Sequence, residues 1–229
     1  MDKAVKSNYL GTKFSLDNLK KDKLTIMKNS PTLKSYSVQL VGKDVLQKVY
    51  YDTPDFYLFN RGIVVNINSF KGKSNAELVV RYESEKKRIA FLSNIPDTFA
   101  ITIPAKANIL NYSEFIAEAI SNLLPNGIEV DAEQFLHKCA PVFKILKKRE
   151  SYRVIHINGL KCMFFFSQAE YSTSLNRRKT RLELFEIESS TINLKNDYDM
   201  LVKLLKFEFP KLIEIEHSDF IISKENLLN

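Results

Sequence analysis

The stretch from Phe143 to Phe166 constrains the fold most. Two alternating runs, Phe143–Ile157 and Gly159–Phe166, meet at Asn158-Gly159, a dipeptide suited to the left-handed conformations of a tight hairpin turn. Because successive strand residues point to opposite faces, these runs predict an antiparallel pair. Gly62–Asn68, Glu77–Tyr82, Phe99–Ile103 and Leu182–Glu188 alternate in the same way. So many strands exclude a helical bundle. Helical spacing is predicted over Leu16–Lys28 with Ser15 as N-cap, over Tyr112–Leu124, over Asp131–Cys139 and over Asp197–Phe207. Antiparallel strands interspersed with helices predict an α+β fold, not a doubly wound parallel sheet.

No Pro/Gly/Ser-rich linker and no solenoid-length repeat divides the chain, which predicts one domain over residues 1–229. The longest apolar run, Cys162–Phe166, falls far short of the roughly 18–20 residues that span a bilayer. No apolar signal core follows the N-terminus either, so the expectation is a cytoplasmic protein with no membrane partner. Cys139 and Cys162 lack CxxC spacing and read as core thiols. His137, His156 and His217 show no metal-ligand spacing, and no glycine-rich phosphate loop occurs. What remains is charge: 34 Lys+Arg against 27 Asp+Glu give +7, which predicts an anionic partner without choosing among nucleotide, nucleic acid and membrane.

Read face by face, the strands say more. One face of Phe143–Ile157 carries Lys147, Arg149, Ser151 and Arg153, while the other mixes Leu146, Tyr152 and Val154 with Lys148 and Glu150. In Leu182–Glu188 one face sets Glu186 beside Glu188, about 6–7 Å apart along the strand. Two such carboxylates repel unless a cation lies near, a geometry that Mg²⁺ or Mn²⁺ can exploit. Glu77, Arg81, Glu83 and Glu85 share one face of a further strand. The bland reading of these rows is the solvated side of a half-exposed sheet. Arg177-Arg178-Lys179-Thr180-Arg181 reads first as an exposed basic turn.

The segment Val49-Tyr50-Tyr51-Asp52-Thr53-Pro54-Asp55-Phe56-Tyr57-Leu58-Phe59-Asn60-Arg61-Gly62-Ile63 resembles the YFDTPD…L…GI signature of the CYTH proteins, or triphosphate tunnel metalloenzymes. The family's order of elements extends the resemblance over about residues 7–223. The resemblance implies a closed eight-stranded antiparallel β-barrel with flanking helices, whose charged tunnel takes a triphosphate and one or two divalent metals. Class IV adenylyl cyclases and thiamine, inorganic and RNA triphosphatases belong to that family. Carried over residue by residue, it implies phosphate contacts at Lys13, Arg81, Arg149 and Arg153 and metal ligands at Glu186 and Glu188, with Mg or Mn as cofactor.

Departures from the pattern are equally specific. Tyr9 and Gly11 replace the two glutamates of the opening E-x-E-x-K, Asn66 and Asn68 stand at places of phosphate-binding arginines, and Asp219 occupies a position expected to hold lysine. Losing carboxylates weakens the hold on Mg²⁺, and losing guanidinium groups forfeits charge-assisted hydrogen bonds. Two readings follow. One is a protein that binds a nucleotide, inorganic triphosphate or RNA 5′ end and hydrolyses or cyclises it with a divalent metal, through a partly degraded site. The other is a non-catalytic phosphate-, nucleotide- or RNA-binding module, or a protein-interaction scaffold using Phe56–Phe59 or Met163–Phe166.

Overall fold

The structure is a computed structural model that describes residues 10–82, 98–123, 138–215 and 218–228. In chain order the elements are β1 (Leu10–Leu16), α1 (Leu19–Asn29), β2 (Tyr36–Asp52), β3 (Ile63–Phe70), β4 (Asn75–Tyr82), β5 (Thr98–Pro104), α2 (Ser113–Leu123), β6 (Ala140–His156), β7 (Lys161–Thr173), β8 (Lys179–Ser189), α3 (Lys195–Glu208), β9 (Ile213–Glu214) and α4 (Asp219–Leu228). The β6–β7 hairpin turns where the sequence indicates, with Gly159 at φ 95°. Helix α1 starts later than expected. Ser15 and Leu16 belong to β1, and Asn18 caps the helix by accepting from the Lys21 amide while Asp22 accepts from the Asn18 amide. The helix predicted over Asp131–Cys139 falls almost entirely outside the described residues.

All strands join one antiparallel sheet in the order β5-β4-β3-β2-β6-β7-β8-β1-β9. The expected closed eight-stranded barrel is therefore not what forms: among the described residues the sheet has nine strands and is open. Among the described residues no ladder joins β5 to the β1/β9 side. The last strand is only two residues long, with Ile213 opposite Ser15 and Glu214 opposite Phe14. The inner face, moreover, is filled by a helix. Phe220, Ile222 and Leu227 of α4 pack on Tyr50, Val64, Phe143, Ile145, Tyr171 and Leu184. A body of about 10 Å diameter thus takes the space in which a narrow barrel would close.

The other face is covered by the remaining helices. Helices α1 and α3 bury Phe14, Phe164, Phe166, Phe185 and Ile187, and α2 buries Leu78, Val80 and Ile103. Packing on both faces accounts for the apolar segments Phe56–Phe59 and Met163–Phe166. Leu58, Phe164 and Phe166 are buried, so they are core and not a scaffold surface. Cys162 and Cys139 also pack against the apolar clusters, and burial pushes their thiols up to about 11 and about 12.

Candidate functional site

Paired residues of adjacent strands point to the same side, so the register fixes which groups share the inner face. Lys13 lies opposite Glu186, Gly11 opposite Glu188, Arg149 opposite Ser167, Arg149 also opposite Asp44, and Lys48 opposite Asn68. By the same rule all six residues singled out from the sequence, Lys13, Arg81, Arg149, Arg153, Glu186 and Glu188, fall on the inner face.

At its centre sits Asp219, the first residue of α4 and only 4% exposed. Oδ1 of Asp219 accepts from Lys13 Nζ at 2.7 Å, and Oδ2 accepts from Lys48 Nζ at 2.9 Å and lies 3.0 Å from Lys147 Nζ. Lys147 Nζ also donates to Glu186 Oε1 at 2.7 Å, and Lys13 Nζ lies 3.8 Å from the same oxygen. The hydroxyl of Tyr171 lies 3.4 Å from Asp219 Oδ1. On a flat sheet β1 and β2, four ladder steps apart, would stand roughly 19 Å from each other. Their lysines meet on one carboxylate because the sheet curls around α4.

The electrostatics follow from this packing. Burial opposes the charge on Lys147, yet Asp219 and then Glu186 outweigh it and raise the ammonium pKa. Burial likewise opposes the Asp219 carboxylate, and Lys13, Lys147 and Lys48 together hold it well below the usual carboxylate range. Glu186 is pushed up by burial and pulled down further by Lys147, ending below its ordinary value. Glu188 behaves differently. It is exposed at the border of the cluster, and the surrounding protein, then Glu186, raise its pKa against the pull of Lys48, Arg149 and Lys147.

A second polar region borders the cluster one step along β6. Arg149 donates to Asp44 through Nε at 2.8 Å and Nη2 at 3.0 Å, and its guanidinium stands 4.7 Å from the Phe165 ring centre and 5.3 Å from that of Phe70. Around it are polar atoms without partners: Ser167 Oγ directly across the ladder and Ser151 Oγ two residues along β6, both buried. Asn66 Oδ1, on β3, is likewise buried and unpartnered. Asn66 itself donates to Asn68 at 2.8 Å, and Asn68 to Glu77 at 3.2 Å, so these two residues relay hydrogen bonds where arginine charge was expected.

Lys13 and Glu186 thus sit inside the cluster, with Arg149 and Glu188 at its border. Arg153 is exposed about 20 Å along β6 from Lys147, and Arg81 stands on β4, two strands from Lys48. Sequence reasoning passed over Lys48 and treated Asp219 as a lost lysine. The signal for Lys147 was present in its place on the Arg149 face. Lys48 alternates with Tyr50 and Asp52 just before the DTPD turn.

For a divalent cation the donor set is unfavourable. An ion at Glu186 and Glu188 would face the ammonium groups of Lys147 and Lys13, while Asp219 is already enclosed by three lysines. Among the described residues no three His, Cys, Asp or Glu side chains gather as a metal site. Glu183 cannot supply a ligand, since it accepts from the Leu19 amide at the start of α1 and from Gln168. Glu83 and Glu85 lie outside the described residues. Mg²⁺ and Mn²⁺ require several oxygen ligands and do not fit this ammonium-rich arrangement.

Against known proteins, no family model and no curated protein matches the sequence. Solved structures do match in fold. A candidate adenylyl cyclase from Hippeastrum, described as having a dominant triphosphatase activity, aligns over 94% of this chain and 94% of its own at 14% identity and a TM-score of 0.57. A candidate adenylate cyclase from Bacillus halodurans aligns over 93% of this chain and 95% of its own at 10% identity and a TM-score of 0.51. The resemblance carried by the DTPD segment therefore has a counterpart in the fold of nearly the whole chain. Among the described residues no helix is long and apolar enough to cross a membrane.

Proposed function

We propose that this chain binds an anion bearing a triphosphate, such as a nucleotide, inorganic triphosphate or an RNA 5′ end, on the inner face of its sheet, without metal-assisted turnover. The observation that supports this reading is the convergence of Lys13, Lys48 and Lys147 from three strands on one pair of carboxylate oxygens. The three ammonium groups meet two carboxylates, Asp219 and Glu186, with Glu188 exposed at the border. Beside them stand Arg149, whose Nε and Nη2 donate to Asp44, and the unpartnered hydroxyls of Ser151 and Ser167. Phosphate oxygens accept hydrogen bonds from all of these groups, and charge-assisted bonds in a desolvated setting are the strong ones.

A second reading is hydrolysis or cyclisation of the bound triphosphate. It is favoured by the likeness in fold to the Hippeastrum protein described as a triphosphatase. One set of measurements separates the two. Melting temperature is recorded with tripolyphosphate, ATP, GTP and 5′-triphosphorylated RNA, and release of phosphate, pyrophosphate and cyclic nucleotide is assayed with Mg²⁺ and Mn²⁺. Binding without turnover is the expected result, with the thermal shift lost in Lys48→Met. Turnover that disappears in Glu186→Gln would overturn it in favour of the enzyme. No shift with any of these ligands would remove the phosphate reading altogether.

A further inference from the structure

Resting on that reading, we infer that Asp219 is a specificity-determining residue: an internal anion that occupies the lysine cluster and yields only to a ligand carrying several adjacent negative charges. The lysines are not waiting empty. Each has its ammonium on an Asp219 oxygen at 2.7–3.0 Å. Any phosphate that takes those donors must replace the carboxylate or crowd it.

The exchange is decided by charge and reach. A carboxylate offers one negative charge; an orthophosphate near neutral pH offers roughly 1.5–2, a small gain set against the loss of contacts already made. Tripolyphosphate brings more charge and more length. One phosphoryl group can take the place of the carboxylate while the next extends along β6 toward Arg149, about 6–7 Å from Lys147 by strand rise. There it meets the Arg149 guanidinium, shared with Asp44, and the unpartnered Ser167 and Ser151 hydroxyls, contacts that Asp219 does not make. A monophosphate gains nothing from that second region.

The setting of Asp219 makes it a displaceable group. It is the first residue of α4, a ten-residue helix held by the adjacent Phe220 against Tyr50, Phe56, Phe59 and Phe143 and at its far end by Asn176 donating to the Leu227 carbonyl. With Phe220 beside it holding the backbone, Asp219 leaves the lysines by rotating its own side chain, and the first turn then loses its tether to β1, β2 and β6. Ser223 Oγ donates to the Asp219 carbonyl and Ser218 Oγ accepts from the Ile221 amide, so the turn keeps its own bonds when the carboxylate leaves the lysines.

The test compares the full chain with Asp219→Asn by calorimetric titration of tripolyphosphate, pyrophosphate and orthophosphate. The unmodified protein is expected to prefer tripolyphosphate over orthophosphate strongly. Asp219→Asn is expected to bind tripolyphosphate about tenfold tighter and to accept orthophosphate, narrowing the preference, because a neutral amide no longer competes for the ammonium groups. Unchanged tripolyphosphate affinity and unchanged preference in Asp219→Asn, with binding still lost in Lys48→Met, would overturn the inference and leave the phosphate site standing. Failure of both proteins to bind any of the three anions would overturn the site itself and the inference with it. Should Asp219→Asn not fold, hydrogen exchange of the unmodified protein decides. Faster exchange in the first turn of α4 on adding tripolyphosphate supports displacement, and slower or unchanged exchange there contradicts it.

Discussion

The residues that looked functional by motif and those that carry charge in the site overlap only in part: Lys13 and Glu186 belong to both, whereas Asp52 belongs to the motif alone. Asp52, the first residue of DTPD, is buried and accepts from the amides of Thr53, Leu58 and Phe59 at 2.8–3.0 Å. Burial outweighs these bonds and raises its pKa. Its work is to fold the turn after β2. Asp52→Ala should orphan three buried amides and cost about 2–4 kcal/mol in urea unfolding, with phosphate affinity per folded molecule unchanged. Lys147→Met leaves Asp219 and Glu186 without their shared buried cation, and a loss of about 3–5 kcal/mol is expected in the same measurement. The pH dependence follows from the lowered carboxylates. Asp219 and Glu186 stand below their ordinary 3.8 and 4.5, so their contribution is complete above about pH 5 and declines as pH falls through that range toward their folded values. The urea midpoint should drop between pH 6 and pH 3.5, and drop less in Glu186→Gln. At this scale Lys13, Arg149, Glu186 and Glu188 were legible, because period-two alternation sets the face of a residue. The partners of Lys48, Lys147 and Asp219 were not, since pairing across several strands is absent from local pattern.

Among the elements, the short-range signals did best. Asn158-Gly159 marked the β6–β7 turn because its geometry is local, and Gly159 at φ 95° is the reason glycine is needed there. Gly159→Ala should cost about 1–2 kcal/mol through backbone strain alone, read from the melting temperature, since no heavy atom lies within 4 Å of the added methyl group. Strand β2 escaped the alternation reading for a physical reason. A register shift between Leu40 and Gly42 slips its pattern, and much of Tyr36–Val41 is exposed. Helix α4 also escaped, because its apolar residues answer to the inner face of a sheet and its first residue to three distant lysines. Of the basic stretch Arg177–Arg181, read as an exposed turn, only Arg177 and Arg178 lie exposed between β7 and β8; Lys179 and Arg181 open β8 and both pair with Glu170.

For the molecule as a whole, α+β class and antiparallel pairing were readable, and closure was not. Whether a curled sheet seals depends on its edge strands and on what fills its inner face, here a two-residue β9 and the α4 helix. The bond between Lys13 and Asp219 joins positions 206 residues apart, and Lys48 reaches Asp219 across 171. Order of synthesis matters for such contacts. A ribosome delivers every lysine of the cluster long before the carboxylate that neutralises them, so a growing chain carries a patch of unbalanced like charge until α4 emerges. Loop closure over such spans is slow, and a soluble polyanion present during that interval can act as a temporary counter-charge. Helix α4, made after all three lysines, then completes the charge balance of the inner face.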